Sequence, residues 1–226
     1  FMLSEQELLG HIGVIFSAAH ETSNNTLVWT LLLLSQFPAV AASVLDELES
    51  VLQGDVPTFE QLGKLVRLER VIKESMRLIP TAPLIWKALM QDTEIGAYVL
   101  PAKTVVYNGI YHTQHMPELY PDPEAFQPER WETLNPSIAE YSPFGGGSRM
   151  CIGASFAMME IKVVLAMLLQ RFRMQCVPNT RVDRFGFVTI APRGGLQVLV
   201  SKQDRQFKQG VGGMQGNVRE MVHLPA

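Results

Sequence analysis

The chain has 226 residues, of which 47% are hydrophobic and 18% charged, so it can form a sizeable core. Its net charge of −3 argues neither for nor against nucleic-acid binding, but no basic run is present and we expect no nucleic-acid partner. The apolar run from Thr26 to Leu34 is far too short to span a bilayer, so we expect no membrane segment in this chain.

A long first helix is predicted from about Ser4 to Gln36. Ser4 and Glu7 match a capping box at its start, and Pro38 ends the pattern. The stretch is apolar on nearly every face, which predicts a buried central helix. Its middle carries the polar cluster Ala18-Ala19-His20-Glu21-Thr22-Ser23, which is costly in such a helix unless it is used.

Three shorter helices are predicted next. They are Ala39 to Leu52, a short helix capped by Thr58 and Gln61, and Leu68 to Leu78, which stops before Pro80. In the third helix, Glu74 and Arg77 lie three residues apart and share one face. Such pairs are common on solvated helices, so this pair alone is a weak signal.

Short strands with turns at Gly96 and Pro101 are predicted from Pro80 to Val106. A proline-punctuated turn from Glu118 to Phe126 follows. It leads into the segment Pro128-Glu129-Arg130-Trp131.

The most informative segment is FGGGSRMCIG, Phe144 to Gly153. Cys151 lies between a glycine-rich turn and a helical pattern, where free N–H groups and the helix dipole favour a thiolate. With Arg149 two residues before it, this thiolate is a good axial ligand for a heme iron, whose propionates need a cation. Gly145 to Gly147 allow positive φ, Gly153 leaves room in the first helical turn, and Phe144 can pack beside the sulfur. An isolated glycine-rich turn would favour a buried structural cysteine instead, but the complete decapeptide favours the ligand.

The C-terminal third is predicted to be a helix followed by strands and a polar end. The helix runs from Ala154 to Phe172, with an inward stripe of Phe156, Met159, Val163, Val164, Met167 and Leu168. Strands are predicted at Arg173 to Val177, Phe187 to Ile190 and Leu196 to Val200, with a turn at Gly194 and Gly195. Residues 202–226 are expected to form a polar tail or linker, with a short helix at Asn217 to Val222.

The two cysteines, Cys151 and Cys176, could in principle pair. If Cys151 binds iron, Cys176 is left as a free thiol, buried in a strand. That usage suits a reducing compartment, so a cytoplasmic location is expected.

Phe144, Gly147, Arg149, Cys151 and Gly153 match the heme-binding signature F-x-x-G-x-R-x-C-x-G at every fixed position. The chain therefore resembles the cytochrome P450 superfamily, from its oxygen-binding I helix to about Ser201. The resemblance implies a mainly α fold with small β-sheets (α+β) that includes the I, J, K and L helices and the Cys-ligand loop. It also implies that residues 1–201 are the C-terminal heme-binding half of the domain.

The polar cluster of the first helix resembles the I-helix motif of that family, except that Ala19 stands where glycine is usual. The resemblance implies that Ala18 adjoins the cofactor. Thr22 is then expected to bond the Ala18 carbonyl, open the helix locally and donate to dioxygen, while Glu21 relays protons from solvent. His20 is expected to line a polar channel. An ordinary threonine that bonds the previous turn remains the alternative for Thr22.

Glu74 and Arg77 resemble the K-helix pair of the family, and Arg130 resembles its third partner. Trp131 replaces the usual phenylalanine beside it. The resemblance implies a buried structural clamp of these three charged residues with no catalytic role.

Other site residues follow from softer parts of the resemblance. Lys87 stands where the family often has an arginine that reaches a heme propionate, although a surface lysine is the alternative. Gln114 stands where many members carry a propionate-binding histidine, and His112 and His115 lie close to it in sequence. The residues expected to contact substrate are Pro83, Leu84 and Ile85.

The resemblance implies a heme-thiolate monooxygenase that uses heme b to oxidise a small organic substrate. Its electrons would come from a ferredoxin or from a flavodoxin-type or flavoprotein reductase. The N-terminal half of the same domain is an expected partner, because the C-terminal half alone would expose one face of the heme and of the long helix. Two alternatives remain, a peroxide-driven peroxygenase, against which Glu21 and Thr22 count, and a non-catalytic heme-binding fragment.

Overall fold

The protein is mainly helical, with small sheets, in a computed structural model that describes residues 3–186 and 188–226. The α-helices of this part of the chain are α1 (Glu5–Gln36), α2 (Pro38–Leu52), α3 (Phe59–Leu62), α4 (Val66–Leu78), α5 (Ile110–Gln114) and α6 (Ala154–Arg171). Short 3-10 helices are formed by Pro128–Glu132, Gly147–Arg149 and Asn217–Glu220. The mainly α fold with small sheets that the sequence predicts is confirmed.

The strands of the described residues pair into two-stranded antiparallel sheets. β1 (Ile85–Ala88) pairs with β4 (Val105–Asn108), and β2 (Thr93–Ile95) pairs with β3 (Tyr98–Leu100). β5 (Phe172–Cys176) pairs with β8 (Val198–Lys202), and β6 (Arg184–Phe185) pairs with β7 (Ala191–Pro192). The predicted strand at Phe187 to Ile190 is wrong for residues 188–190, which form the irregular loop between β6 and β7, and Phe187 lies outside the described residues.

The ends of α1 agree with their sequence signals. Ser4 Oγ accepts from Glu7 N at 3.3 Å, and Glu7 Oε2 accepts from Ser4 N at 2.8 Å, which completes the predicted capping box. The helix ends at Gln36, and Pro38 then opens α2, because proline cannot continue a helical ladder but fits a first turn. Among the described helices, no single one has the length and apolar character to cross a membrane, and α1 and α2 meet that criterion only together, across a bend of 112°.

The predicted burial of α1 holds only for its C-terminal part. Trp29, Leu32 and Leu33 are fully buried, because α2, α4, α6 and β5 pack around this part of the helix. Residues 3–21 are exposed, and their apolar side chains include Leu8, Leu9, Ile12, Val14, Ile15 and Phe16. The first half of α1 therefore presents an apolar surface that the described residues do not cover.

The inward stripe predicted for α6 is displaced around the helix. The structure buries Ile161, Leu165 and Ala166, whereas Phe156 is 60% exposed. The difference arises because α6 packs against α1, α2, α3 and β5 at once, so their positions decide which face is covered. Met159 and Val163 still pack partly against the core.

Residues 202–226 differ from the expected polar tail or linker. The segment packs into the same hydrophobic core as the helices, with Met214, Val218, Met221, Val222 and Leu224 buried. Gln36 of α1 anchors it, since its Nε2 donates to Gly210 O at 3.1 Å and its Oε1 accepts from Gly212 N at 2.9 Å. Met214, Val218, Met221 and Val222 have a helical spacing, but the glycines at 210, 212, 213 and 216 and the polar residues between them made the segment resemble a tail.

Truncation of a buried side chain in this segment should destabilise the whole protein. Met221→Ala is expected to lower the free energy of unfolding by about 2–5 kcal/mol, because it removes a large side chain from a packed site. Met90→Ala is the matched control, since Met90 is 94% exposed and its truncation should change stability by about 0.5 kcal/mol or less. Denaturant unfolding measures both, and equal effects would mean that the segment is not part of the core.

Candidate functional site

The loop that carries Cys151 is closed by its own backbone. Cys151 N donates to Phe144 O at 2.9 Å, so the two ends of the glycine-rich segment are joined. Gly145 and Gly147 both have a φ of +69°, a left-handed conformation that favours glycine. Phe144 packs partly against the core, and this contact anchors the first residue of the loop. Between these anchors, the Cys151 thiol is held at the surface, and it is exposed.

The residues around the thiol fit a heme group. α6 begins at Ala154 with no side-chain cap, so no capping side chain satisfies the N–H groups of its first turn, which begins three residues after Cys151. Arg149 is exposed two residues away and offers a cation for carboxylate groups. Ile152 and Phe156 are exposed apolar side chains beside the sulfur in sequence, and a flat apolar macrocycle would cover such groups. The loop thus offers a sulfur, a cation and apolar side chains, which are the kinds of group that a heme requires.

The Cys151 loop lies against Ile85, which is the first residue of β1 and the last of the three residues predicted to contact substrate. A Cβ atom added to Gly145 would lie 3.3 Å from Ile85 Cδ1, so the glycine lets the two segments approach closely. Pro83, Leu84 and Ile85 are all partly buried, and Pro83 O accepts from Tyr111 N at 3.0 Å. The structure therefore brings Ile85 to the Cys151 loop, as a pocket lined by both would require.

Thr22 belongs to a ladder of threonines along α1. Thr22 Oγ1 donates to Ala18 O at 2.7 Å, Thr26 Oγ1 donates to Thr22 O at 3.0 Å, and Thr30 Oγ1 donates to Thr26 O at 2.7 Å. The predicted bond to Ala18 is thus present, but α1 remains α-helical throughout. Because Thr26 and Thr30 make the same bond, the bond alone is an ordinary helical feature. Thr22 differs from the other two in its partial exposure and in the carboxylate next to it.

Glu21 makes a contact that sequence reasoning missed. Its Oε1 accepts a hydrogen bond from Thr189 Oγ1, in the loop between β6 and β7. The two residues are 168 positions apart, so no local pattern could have indicated the contact. Exposed Ala18 and His20 lie on the same uncovered part of α1.

The three predicted clamp residues meet around the buried Glu74 carboxylate. Arg77 Nε donates to Glu74 Oε2 at 3.0 Å and Arg77 Nη2 donates to Oε1 at 2.9 Å. Arg130 Nε donates to Glu74 Oε1 at 2.9 Å. The side chains of Glu74 and Arg77 are fully buried, so the carboxylate exchanges its water shell for two guanidiniums.

Three further features of the clamp were not apparent from the sequence. Trp131 Nε1 donates to Glu74 Oε2 at 3.0 Å, a bond that the usual phenylalanine could not make. Arg77 also donates to three main-chain carbonyls, those of Gln114, Pro123 and Ala125. Tyr120 packs against the guanidinium, 5.1 Å from its Cζ to the ring centroid, and burial raises the pKa of Tyr120 to about 12. The clamp thus joins α4 to the whole segment from α5 to the 3-10 helix Pro128–Glu132.

Gln114 lies in this clamp region and is fully buried. Its Nε2 donates to Met76 O at 3.0 Å and to Arg77 O at 3.1 Å, so it caps the end of α4. This geometry supports a structural role and lends no support to a propionate contact, because both donors face helix carbonyls. His115 is also partly buried, with its ring nitrogens near Tyr111 O and Met221 O, and burial lowers its pKa.

Lys87 and His112 remain accessible. Lys87 is exposed in β1, opposite Val106 of β4, so its ammonium group can reach an anion outside the sheet. His112 is exposed on α5.

Comparison with known proteins points to one family. The sequence profile described as Cytochrome P450 matches residues 2–198. A cytokinin hydroxylase from Arabidopsis thaliana is 36% identical over 205 residues, which are 89% of this chain and 40% of that protein. A cyclooctat-9-en-7-ol 5-monooxygenase from Streptomyces melanosporofaciens is 36% identical over 181 residues, covering 79% of this chain and 39% of that protein.

The fold of the chain is also similar to that of a solved cytochrome P450. The crystal structure of a cytochrome P450, CYP102L1, superposes with a TM-score of 0.80 and 31% sequence identity. The match covers 88% of this chain and 47% of that one. The chain thus spans about two fifths of the length of the curated relatives named above, at 40% and 39%, and about half of the solved structure.

Proposed function

The chain belongs to the cytochrome P450 family, and from that premise we propose that it supplies the thiolate ligand and the proton relay of a heme-thiolate monooxygenase. The observation that carries the proposal is the closed loop from Phe144 to Gly153, which presents an exposed thiol beside Arg149 at the start of α6. In this proposal Cys151 is the iron ligand, Arg149 and Lys87 hold propionates, and the cofactor is heme b.

The cofactor, when bound, would supply the activation of dioxygen, and a thiolate ligand favours cleavage of the O–O bond. The residues of the chain hold and shield it. Phe144 limits water at the sulfur, and Gly147 and Gly153 let the backbone approach the ring. From α1, Ala18 would contact the cofactor, and Glu21 would take up protons from solvent. The Thr22 hydroxyl, which donates to Ala18 O in this structure, would turn to donate to dioxygen.

The exposed first half of α1 supports a partner within the same domain. Its apolar side chains lie beside the proposed relay residues, and such a surface is rarely left open in a stable soluble protein. We propose that the complementary N-terminal portion of the family domain covers it and completes the pocket for a small organic substrate. Detection of that portion in the same particle would exclude a non-catalytic fragment.

The reaction is tested with labelled dioxygen. The heme-loaded complete protein is supplied with electrons by a ferredoxin or flavoprotein reductase. It should convert a substrate RH, O₂, two electrons and two protons into the hydroxylated product ROH and water. One labelled atom is then found in the product and one in water. Efficient turnover with hydrogen peroxide and no reductase would instead favour the peroxygenase.

Removal of the Thr22 hydroxyl should uncouple electron use from product formation. In Thr22→Ala, product per electron is expected to fall by about tenfold or more, since positioned acid–base groups contribute roughly 10²- to 10⁴-fold. Heme content and substrate binding should be unchanged, because neither requires the hydroxyl, and the lost electrons should appear as hydrogen peroxide.

Thr30→Ala is the matched control for this variant. Thr30 makes the same bond to the previous turn at 2.7 Å but is buried away from Glu21. It should therefore leave coupling unchanged, whereas Thr22→Ser should restore it. Unaltered coupling in Thr22→Ala would contradict the relay.

A further inference from the structure

The loop between β6 and β7 is fixed against α1 by contacts that continue beyond Thr189. Trp29 Nε1, two turns along α1 from Glu21, donates to Ile190 O at 3.0 Å. Ile190 N donates to Thr81 O at 2.8 Å, and Thr81 Oγ1 lies 3.0 Å from Thr26 Oγ1. Thr189 is thus adjacent to a residue that is held on both sides, and its own hydroxyl donates to the Glu21 carboxylate.

A glycine at position 186 is required for this loop. Gly186 has a φ of +144°, and a Cβ atom placed there would lie only 1.7 Å from Thr189 O. Any other residue would displace the backbone of Thr189. The loop therefore has a conformation that presents Thr189 to α1, and Gly186 is needed to reach it.

The contact restrains a group that is otherwise free to move. Glu21 is exposed on the surface of α1, where a glutamate samples several rotamers and loses entropy when it is held. Threonine is well suited to hold it, because its branched side chain is stiff about χ1. A hydrogen bond to an ionised carboxylate is also stronger than one between neutral groups. Thr22 points its hydroxyl at Ala18 O, so Thr189 provides the restraint on Glu21.

We propose that Thr189 is a positioning residue for proton delivery, which holds the Glu21 carboxylate at the entrance of the relay to Thr22. This inference rests on the proposed function, in which Glu21 carries protons from solvent. The same loop is bonded to Thr81, which lies two residues before Pro83, the first of the predicted substrate residues, so it joins the relay to the substrate side of the pocket.

The role is tested by coupling in the heme-loaded complete protein with its reductase. Thr189→Val removes the hydroxyl at nearly constant shape, and product per electron should fall by about threefold to tenfold, the range that one lost hydrogen bond accounts for. The two electrons and two protons then convert O₂ to hydrogen peroxide instead of yielding ROH and water. Thr189→Ser should restore coupling, which a purely steric role of the threonine would not predict.

A substitution at Gly186 gives a second test, in which Thr189 itself is unchanged. Gly186→Ala should reproduce the uncoupling, because the added methyl group collides with Thr189 O. Gly194→Ala is its matched control, since Gly194 also has a positive φ of +76° but has no atom within 4 Å of an added Cβ. Equal coupling in the two alanine variants would overturn the inference.

A readout independent of activity tests the contact. Thr189→Val and Glu21→Ala should shift the thermal unfolding midpoint non-additively, because each removes the same bond. Additive shifts would overturn the inference.

Different results would contradict the proposed relay of Glu21 and Thr22 and the proposed role of Thr189. If Glu21→Ala and Thr22→Ala leave coupling intact, the relay itself is wrong, and Thr189 has nothing to position. If both uncouple while Thr189→Val does not, the relay stands and only the positioning role is overturned.

Discussion

Cys151→Ser should abolish the strongly red-shifted Soret band that thiolate-ligated heme shows when it is reduced under carbon monoxide. The substitution replaces sulfur by an oxygen that is protonated at neutral pH and is a poor ligand for heme iron. The loop should survive, because Cys151 N would still donate to Phe144 O and both positive-φ glycines are untouched. Monooxygenase activity should disappear with the band.

Cys176→Ser is the matched control, because it makes the same atomic replacement at the other cysteine. Cys176 is buried in β5, where its sulfur lies 2.9 Å from Ser35 Oγ, and burial raises the pKa of its thiol. A serine there keeps the hydrogen-bond partner and should keep the red-shifted band. Retention of the band in Cys151→Ser, or its loss in Cys176→Ser, would contradict the ligand assignment.

Arg77→Ala should give little folded holoprotein. The substitution leaves Glu74 with one guanidinium in place of two and strands the main-chain carbonyls of Gln114 and Pro123, whereas Ala125 O still accepts from Arg130. Breaking a buried ion pair by removing one partner costs about 3–5 kcal/mol, and this is a large fraction of the roughly 5–15 kcal/mol that stabilises a typical domain. Yield, heme content and the free energy of unfolding measure the effect.

Arg70→Ala on the same helix is the control, because it removes an arginine side chain from α4 that is not part of the clamp. Arg70 pairs with Glu132 at 2.5 Å, but both side chains are partly exposed, so the loss should be about 1 kcal/mol or less. Arg77→Lys should lie between the two, because lysine keeps the charge but loses the fork that bridges carboxylate and carbonyls. Normal heme content in Arg77→Ala would show that the clamp is dispensable.

The helical framework was largely determined by local sequence. Capping boxes at Ser4 and Thr58 mark the starts of α1 and α3 within one residue, because a cap satisfies free N–H groups through its nearest neighbours. Proline breaks end α1 and α4 for the same local reason. The loop around Cys151 was also evident, since the thiol, the cation and the glycines all lie within ten residues.

Burial required the tertiary structure. The apolar character of α1 predicts a buried helix, yet only its C-terminal part is covered, because burial depends on which other elements reach it. On α6, the elements packed around the helix moved the buried face to Ile161 and Leu165. The end of the chain, which reads as a polar tail, contributes Met221 and Val222 to the core because Gln36 and the neighbouring loops hold it there.

Some of the candidate site residues were indicated by the sequence, whereas some of their contacts were visible only in the tertiary structure. Sequence alone indicated Cys151 and the spacing of Glu74 and Arg77, because each signal is a short-range pattern of residue types. The bond from Thr189 to Glu21 and the indole of Trp131 at Glu74 became visible only once distant segments were brought together. Local pattern specifies helices and the glycine-rich loop through neighbouring backbone groups, whereas the contacts that hold the Glu21 carboxylate depend on the packing of the whole chain.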